Sequence, residues 1–331
     1  MPDSTQIQLE AGGGTPNLAA SAGPAFARHD TFAPRHGWIK KGFDLTLRVP
    51  SLFTRPDAST ELGVGKNMVR AIRYWCHAFG VLETARDETG NTITQATDFG
   101  TLLLDDQGGL DPYLEDPASL WWLHWRLVNR PDLATAWSYT FFEFARTEFT
   151  VRDLSRALQD YVGRTFPDTR YADSSYEKDA SCLVRMYGVQ DDGGRPSEDT
   201  IQCPFAELEL LRPGTEPGTW AFQLGHKPSL PSRFVAAACL EFAMRSTGAR
   251  TFALPRLLHE PGSPGMAFKL TQGALYGALE EIVAETDGLA LADAAGVIQL
   301  AFEADPRMLA VRLWTEHYSR GRKAADLQEV A

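Results

Sequence analysis

Long apolar runs are absent from this sequence. No stretch approaches the roughly 20 consecutive apolar residues that a membrane-spanning helix needs, so no membrane span is expected. The N-terminus also lacks the basic segment and the apolar core of a secretory signal. The cysteines stand far apart without a C-x-x-C pair, which argues against both a disulfide framework and a zinc site: Cys76, Cys182, Cys203 and Cys239. These absences together predict a cytoplasmic protein.

Motifs that identify a reaction are also missing. The sequence contains no G-x-S-x-G, H-E-x-x-H or H-x-x-E-H. Gly65-Lys66 superficially matches a phosphate-binding loop, but that loop needs glycine where Thr60 stands and Ser or Thr where Asn67 stands. No nucleotide cofactor is therefore expected.

The most informative feature present is a basic segment, residues 26–77. It holds nine Lys or Arg and four Asp or Glu, a local net charge of +5 in a chain of net charge −11, so the remaining residues carry −16. A local basic face, rather than the overall charge, is typical of a protein that binds a polyanion. The segment therefore predicts contact with double-stranded DNA.

The last helix of the basic segment has two faces. Its apolar residues recur at helical spacing from Met68 to Phe79, and Gly80 is expected to end it. A basic stripe follows the opposite face at i, i+4, i+7 and i+11: Lys66, Arg70, Arg73 and His77. With Asn67 beside the stripe, these residues are predicted to contact DNA, together with Arg35, Lys40 and Lys41 from the preceding residues. The alternative is a surface helix whose charges are only solvated.

Turn signals around this helix predict a winged helix. A short helix is expected at residues 57–62, before a turn at Gly63 and Gly65. Strands are expected at 81–82 and 92–94, around a turn at 87–91. A helix-turn-helix followed by a hairpin is the winged-helix pattern, which often binds DNA and often binds protein.

The whole chain is predicted to be mainly α with small β-hairpin wings, an α+β fold of tandem winged helix-turn-helix units joined by a helical core. Its 331 residues suffice for two or three domains. We expect a disordered tail at 1–24, a DNA-binding winged helix at 25–112, a helical core with small strands and a degenerate winged helix at 113–230, and a C-terminal helical and winged-helix domain at 231–331. The C-terminal unit has an acidic helix face at Glu280, Glu281 and Glu285, so it is expected to be structural or to meet protein.

The region between these units gives several local predictions. Residues 119–128 predict a helix that is apolar on every side and therefore buried. Thr150 and Asp153 predict a capping box, and Ser175 is expected to cap a helix at 176–187. Residues 203–211 and 219–224 are expected to be strands.

One polar cluster has the residues for phosphodiester chemistry. Near neutral pH His29 is a candidate general base. Asp30 is a candidate to orient it or to hold Mg²⁺ or Mn²⁺. Arg28, aided by Arg35 and Lys41, is a candidate to stabilise charge on the phosphate. The alternative is that His29 and Asp30 only form hydrogen bonds at the junction before the first helix.

Three stretches carry a family resemblance: FARHDTFAPRHGWIKKGFD, ELGVGKNMVRAIRYWC and DPYLEDPASLWWLHW. In this order, from about Phe26 to the C-terminus, the chain resembles a prokaryotic family first catalogued as a domain of unknown function and found beside DNA phosphorothioation and phage-defence genes. The resemblance implies single-strand nicking of DNA that helps sulfur enter the backbone. It also implies an acidic residue, often Glu, at the position of Asp30.

The same resemblance implies partners: a cysteine desulfurase, an ATP pyrophosphatase-like sulfur transferase and an ATPase. Three functional hypotheses remain open at this point. The chain is a DNA nicking endonuclease, a non-catalytic DNA-binding subunit or transcriptional regulator, or a protein adaptor within a defence complex.

Overall fold

Helices and short antiparallel strands alternate along the chain. The computed structural model describes residues 23–188, 203–246 and 248–329, with side chains as far as Ser319. The helices are α1 (Trp38–Arg48), α2 (Ala58–Glu61), α3 (Lys66–Ala78), α4 (Asp98–Leu104), α5 (Pro117–Val128), α6 (Thr135–Phe142), α7 (Val151–Thr165), α8 (Asp173–Tyr187), α9 (Ser232–Ala243), α10 (Leu254–His259), α11 (Pro264–Ala267), α12 (Gln272–Glu285) and α13 (Pro306–Glu329). The strands are β1 (Leu82–Arg86), β2 (Thr92–Ala96), β3 (Glu148–Thr150), β4 (Leu211–Pro213), β5 (Thr219–Phe222), β6 (Thr251–Ala253), β7 (Leu289–Ala294) and β8 (Val297–Phe302). Of the predicted tail at 1–24, residues 1–22 lie outside the described residues.

The strands form small antiparallel sheets among the helices. One sheet is the β1–β2 hairpin, the second has the order β3-β5-β4, and the third has the order β6-β8-β7. In the hairpin Thr84 lies opposite Thr94, and in the third sheet Leu291 lies opposite Leu300. The fold is therefore mixed α/β with many helices and little sheet, which agrees with the predicted class at that level.

The basic segment folds into helices close to the predicted bounds. In α3 the apolar face is buried, with Ile72 and Trp75 fully enclosed, whereas Lys66 and Arg70 are exposed. Gly80 has a positive φ of 71° and follows the helix, as expected of a glycine at the C′ position. The hairpin begins two residues later, so helix, turn, helix and hairpin occur in the predicted order.

Two features of the central region are confirmed. Every residue of α5 from Ala118 to Trp125 is buried, and the ring of Trp122 stacks on Trp314 of α13 with centroids 4.4 Å apart. Thr150 and Asp153 form the capping box at the start of α7: the Asp153 N–H donates to the Thr150 hydroxyl at 3.1 Å, and the Thr150 N–H donates to the Asp153 carboxylate at 3.0 Å.

Two local predictions were wrong. Residues 204–208 form a 3₁₀ turn, Pro204–Leu208, instead of the first half of a strand, because Pro204 fixes the turn and Glu209 adopts a left-handed φ of 48°. Helix α8 begins three residues before the predicted start, and its N-cap position is held by Ala172 rather than Ser175. Its first turn is instead stabilised by the acidic Asp173.

Buried apolar residues form a continuous core from Phe26 to Tyr318. Within the part of the chain that the structure describes, no helix combines the length and apolarity needed to cross a bilayer. The basic segment packs on this core through α1 and α3, so the outer face of α3 is held rigidly at the surface.

Candidate nucleic-acid interface

The exposed start of α3 carries the best-positioned predicted DNA contacts. Lys66, Asn67 and Arg70 are all exposed on its first turns. The Arg70 guanidinium donates a hydrogen bond of 2.7 Å to the Asn67 side chain, which aligns these two groups along the helix. Lys41 joins them from α1, because a Cβ placed on Gly63 would lie 3.9 Å from its ammonium nitrogen. Cationic donors from two helices therefore converge beside the turn before α3.

The loop before α1 brings Asp30 to this surface. The Arg70 Nε donates to the Asp30 carboxylate at 2.6 Å, with the Asp30 side chain 27% exposed and the Arg70 side chain 64% exposed. Ala27, Asp30 and Thr31 all have positive φ, which non-glycine residues rarely adopt. A tightly bent loop of this kind is held in place from outside, so its conformation places Asp30 against α3.

Helix α8 supplies those external restraints. The Asp179 carboxylate accepts the Ala27 N–H at 2.7 Å, and the Arg185 guanidinium donates to the Thr31 carbonyl at 2.5 Å. Sequence reasoning missed both residues. They lie about 150 positions from the loop and no motif marks them, so only the tertiary structure reveals the contacts.

His29 lies inside the protein, with no exposed surface. Its Nε2 lies 2.9 Å from the Asp179 carboxylate. Burial alone would lower the pKa of His29, but the neighbouring Cys182 thiol and Asp179 carboxylate raise that pKa to about 10. At neutral pH the imidazole therefore keeps its proton and has no contact with solvent. This geometry separates His29 from solvent and favours the structural alternative.

Lys40 does not reach the basic surface. Its ammonium is buried and donates to the Asp44 carboxylate at 2.5 Å, to the Asp106 carboxylate at 2.6 Å and to the Leu104 carbonyl at 3.1 Å. These bonds raise the pKa of Lys40 against the opposing effect of burial. Because its charge is already compensated, Lys40 ties α1 to the end of α4 and is unsuited to the predicted phosphate contact.

The remaining predicted contacts are unevenly placed. Arg28 is exposed, and Arg35 is half-exposed with its guanidinium 5.4 Å from the centre of the Trp38 ring. Arg73 is half-exposed on α3. His77 turns away from the outer face: burial, with help from Arg73 and another nearby arginine, lowers its pKa to about 4. His77 is therefore neutral at physiological pH and cannot offer a charge to phosphate.

The interface is suited to holding an anionic backbone. Lys41, Lys66 and Arg70 are exposed and Arg73 is half-exposed, and Arg70 can form the paired bonds that phosphates accept. Asp30 is its acidic member, and that carboxylate is already bonded to Arg70. The described residues contain no group of three or more His, Cys, Asp or Glu placed to hold a metal ion. A single carboxylate that is already paired with Arg70 does not fit a magnesium centre.

Comparison with known proteins finds relatives that match nearly the whole chain. Residues 26–318 match the model of the family described as a protein of unknown function, DUF4007. No curated protein matches the chain. A crystal structure of magnesium ion-bound SspB is 37% identical with a TM-score of 0.84, covering 92% of this chain and 90% of that one. A second SspB crystal structure is 36% identical with a TM-score of 0.82, covering 91% of this chain and 90% of that one. Because the family model spans most of its length, the chain belongs to the DUF4007 family.

Proposed function

We propose that this chain is a DNA-binding protein of a phosphorothioation-linked defence system and that it nicks one strand of duplex DNA. The observation that carries the proposal is the likeness to SspB over about nine-tenths of both chains. The family resemblance suggests the defence system and the nicking reaction. The basic surface at α3 offers cationic groups that can hold DNA.

The geometry supports DNA binding through α3 and the β1–β2 hairpin. Helix α3 would lie against the duplex, with Lys66, Arg70 and Arg73 contacting phosphates and Asn67 near base edges. The β1–β2 hairpin would act as the wing. Electrostatic contacts of this kind weaken steeply as salt rises, because each neutralised phosphate releases counterions.

A second candidate is a DNA-binding subunit without catalytic activity of its own. Two observations favour it: His29 is buried with a raised pKa, and Asp30, the one carboxylate predicted to be catalytic, is already paired with Arg70. In that case the bond cleavage would depend on a partner. The partners proposed for either candidate are a cysteine desulfurase, an ATP pyrophosphatase-like sulfur transferase and an ATPase.

Incubation with supercoiled plasmid separates the two candidates. The wild type and an Asp30→Ala variant are compared with and without Mg²⁺ or Mn²⁺, and open circles are measured on gels. Nicking by the wild type that is lost in a folded Asp30→Ala variant supports the endonuclease and locates its site. Nicking that survives in the variant places the site elsewhere. Absence of nicking, with salt-sensitive binding of the same DNA, supports the non-catalytic subunit.

A further inference from the structure

A cavity of about 660 Å³ has one predicted DNA-contact residue, His77, among its lining residues and none of the predicted catalytic residues. The β1–β2 hairpin forms one wall, and the C-terminal halves of α5 and α9 with the first turns of α13 form the others. Volumes of several hundred Å³ are typical of sites for small ligands. The residues that line the cavity are distant in sequence, so no local sequence pattern predicts it.

The floor of the cavity contains an arginine without a matching carboxylate. The Arg126 Nε donates to the Phe79 carbonyl at 3.2 Å, its one hydrogen-bond acceptor within the described ranges. The guanidinium lies 4.0 Å from the centre of the Phe99 ring. Gly80 makes room for it, because a Cβ there would lie 2.9 Å from a terminal nitrogen. Arg126 lines the cavity, and its terminal nitrogens have no acceptor among the described residues, so an anion in the cavity would complete their hydrogen bonds.

A second arginine stands beside it. Arg245 donates to the Asn129 side chain and, at 3.1 Å, to the Gly262 carbonyl. Burial lowers the pKa of both Arg126 and Arg245 to about 10, with Glu241 opposing the shift. Both guanidinia remain charged at neutral pH, but burial makes each charge energetically unfavourable.

The acid on this floor offsets only part of that charge. The Glu241 carboxylate accepts indole N–H bonds from Trp125 at 2.5 Å and from Trp314 at 3.2 Å. These neutral donors fix its position away from a direct ion pair with either arginine. Glu260 also acts on Arg245, but it is paired with Arg256 and does not line the cavity. Among the lining residues of the floor, one carboxylate therefore faces two guanidinia.

The rim adds polar groups of both signs. The lining also includes Arg130 and Arg307 and the acidic Glu83 and Asp98. The buried Nε2 of His77 has no partner within the described part of the chain. The lining thus holds four arginines and three acidic residues, a net charge of +1.

We propose that this cavity binds a nucleotide through its phosphate, with the phosphate on Arg126 and Arg245. The apolar walls at Leu82, Ala96 and Val311 would accept the sugar or base. Two sources share this chemistry: a free nucleotide and the terminal nucleotide of a DNA strand. The site does not depend on DNA binding by the outer face of α3.

Titration calorimetry with thymidine 5′-monophosphate tests the proposal, with thymidine as the ligand that lacks the phosphate. The nucleotide should bind and thymidine should not. The Arg126→Gln variant should weaken binding roughly tenfold or more, since a charge-assisted bond to phosphate is lost. Arg156→Gln makes the same charge change on the exposed face of α7 and should leave binding unchanged. Circular dichroism and thermal unfolding check that each variant folds.

A pair of changes at one exposed rim position separates electrostatics from misfolding. Thr84 lies on β1 with its side chain exposed at the cavity edge. Thr84→Glu should weaken nucleotide binding and Thr84→Arg should strengthen it, because only the sign of the added charge differs. Equal effects of the two variants would contradict the proposal.

A 5′-phosphorylated single-stranded oligonucleotide distinguishes the sources. If it binds no more tightly than the mononucleotide, with the same dependence on Arg126, the ligand is a free nucleotide. Tighter binding that Arg126→Gln weakens identifies a strand end. If neither ligand binds the wild type at millimolar concentration, or if thymidine binds as well as its monophosphate, the proposal is overturned. Arg70→Ala should leave mononucleotide binding unchanged. Failure of the α3 interface and failure of the cavity proposal therefore give different results.

Discussion

At the scale of single residues, the pair formed by Asp30 and Arg70 connects the two predicted roles of the basic segment. One was predicted to be catalytic and the other to bind DNA, and the structure joins them at 2.6 Å. Their spacing of 40 positions gave no sign of this contact. The Asp30 carboxylate competes with phosphate for the Arg70 guanidinium. Removing that carboxylate should therefore affect DNA binding and bond cleavage in different directions.

The Asp30→Asn substitution is expected to strengthen duplex binding at low salt, because it removes a negative charge and frees Arg70. If Asp30 also acts in bond cleavage, nicking should fall at the same time. Fluorescence anisotropy and the plasmid assay measure the two effects on one preparation. Asp57→Asn, which removes a carboxylate bonded to Arg55, is the control. Weaker duplex binding by Asp30→Asn would show that the loop, rather than the charge, matters.

His29 and Asp179 show why the surroundings of a candidate base could not be predicted from sequence. A histidine in a basic, polar stretch resembles a catalytic base, but its carboxylate partner is 150 positions away on α8. Burial of both side chains, which decides that the pair is structural, depends on the packing of α3 and α8 around the loop. The sequence contains no local sign of that packing.

Asp179→Asn is expected to destabilise the fold by about 3–5 kcal/mol, because it leaves a buried imidazolium without its counter-charge. Asp168→Asn, at an exposed position after α7, should change stability by less than about 0.5 kcal/mol. Urea unfolding at neutral pH measures both. Equal stability of the two variants would contradict a charged buried pair.

The same pair predicts a pH dependence. The folded-state pKa of His29, about 10, lies above the unfolded value of 6.5. Its contribution to stability is therefore complete below about pH 6.5 and is lost as pH rises through about 10. The stability difference between wild type and Asp179→Asn should shrink over this window. A constant difference would mean that His29 is neutral in the fold.

At the scale of elements, regular patterns were predictable and irregular ones were not. The stripe on α3, the buried α5 and the capping box of α7 follow from side-chain periodicity and spacing. The strand predicted from Cys203 failed because apolar runs fit a turn as well as a strand, and the backbone at Glu209 decided between them. Strand β6 was missed because three residues are too few to show alternation.

Gly100 controls how α4 packs below the hairpin. A Cβ at this position would lie 2.2 Å from the Val81 carbonyl oxygen, which is backbone and cannot give way easily. Gly100→Ala should therefore destabilise the protein by more than about 2 kcal/mol. Gly163→Ala, inside α7 with nothing within 4 Å, should be neutral or stabilise by up to about 1 kcal/mol. Thermal unfolding compares the two, and equal effects would contradict the close packing at Gly100.

At the scale of the whole molecule, charge is segregated. The basic segment carries +5 and the remaining residues carry −16. The structure refines this picture: Lys40 and Arg55 are held by acidic neighbours, while Lys66 and Arg73 pair with no carboxylate in the described ranges. Composition located the basic segment, but only the fold distinguishes the cations that are available to a ligand.

The central claim is that the outer face of α3 holds duplex DNA, and its most direct test is duplex affinity measured by fluorescence anisotropy across a salt series. Arg70→Ala combined with Arg73→Ala should weaken binding roughly tenfold or more and lower the log–log salt slope by about 1–2. Arg152→Ala combined with Arg156→Ala, the same loss of charge on exposed positions of α7, should change neither quantity appreciably. Equal affinity and equal slope for the two double variants would contradict the account.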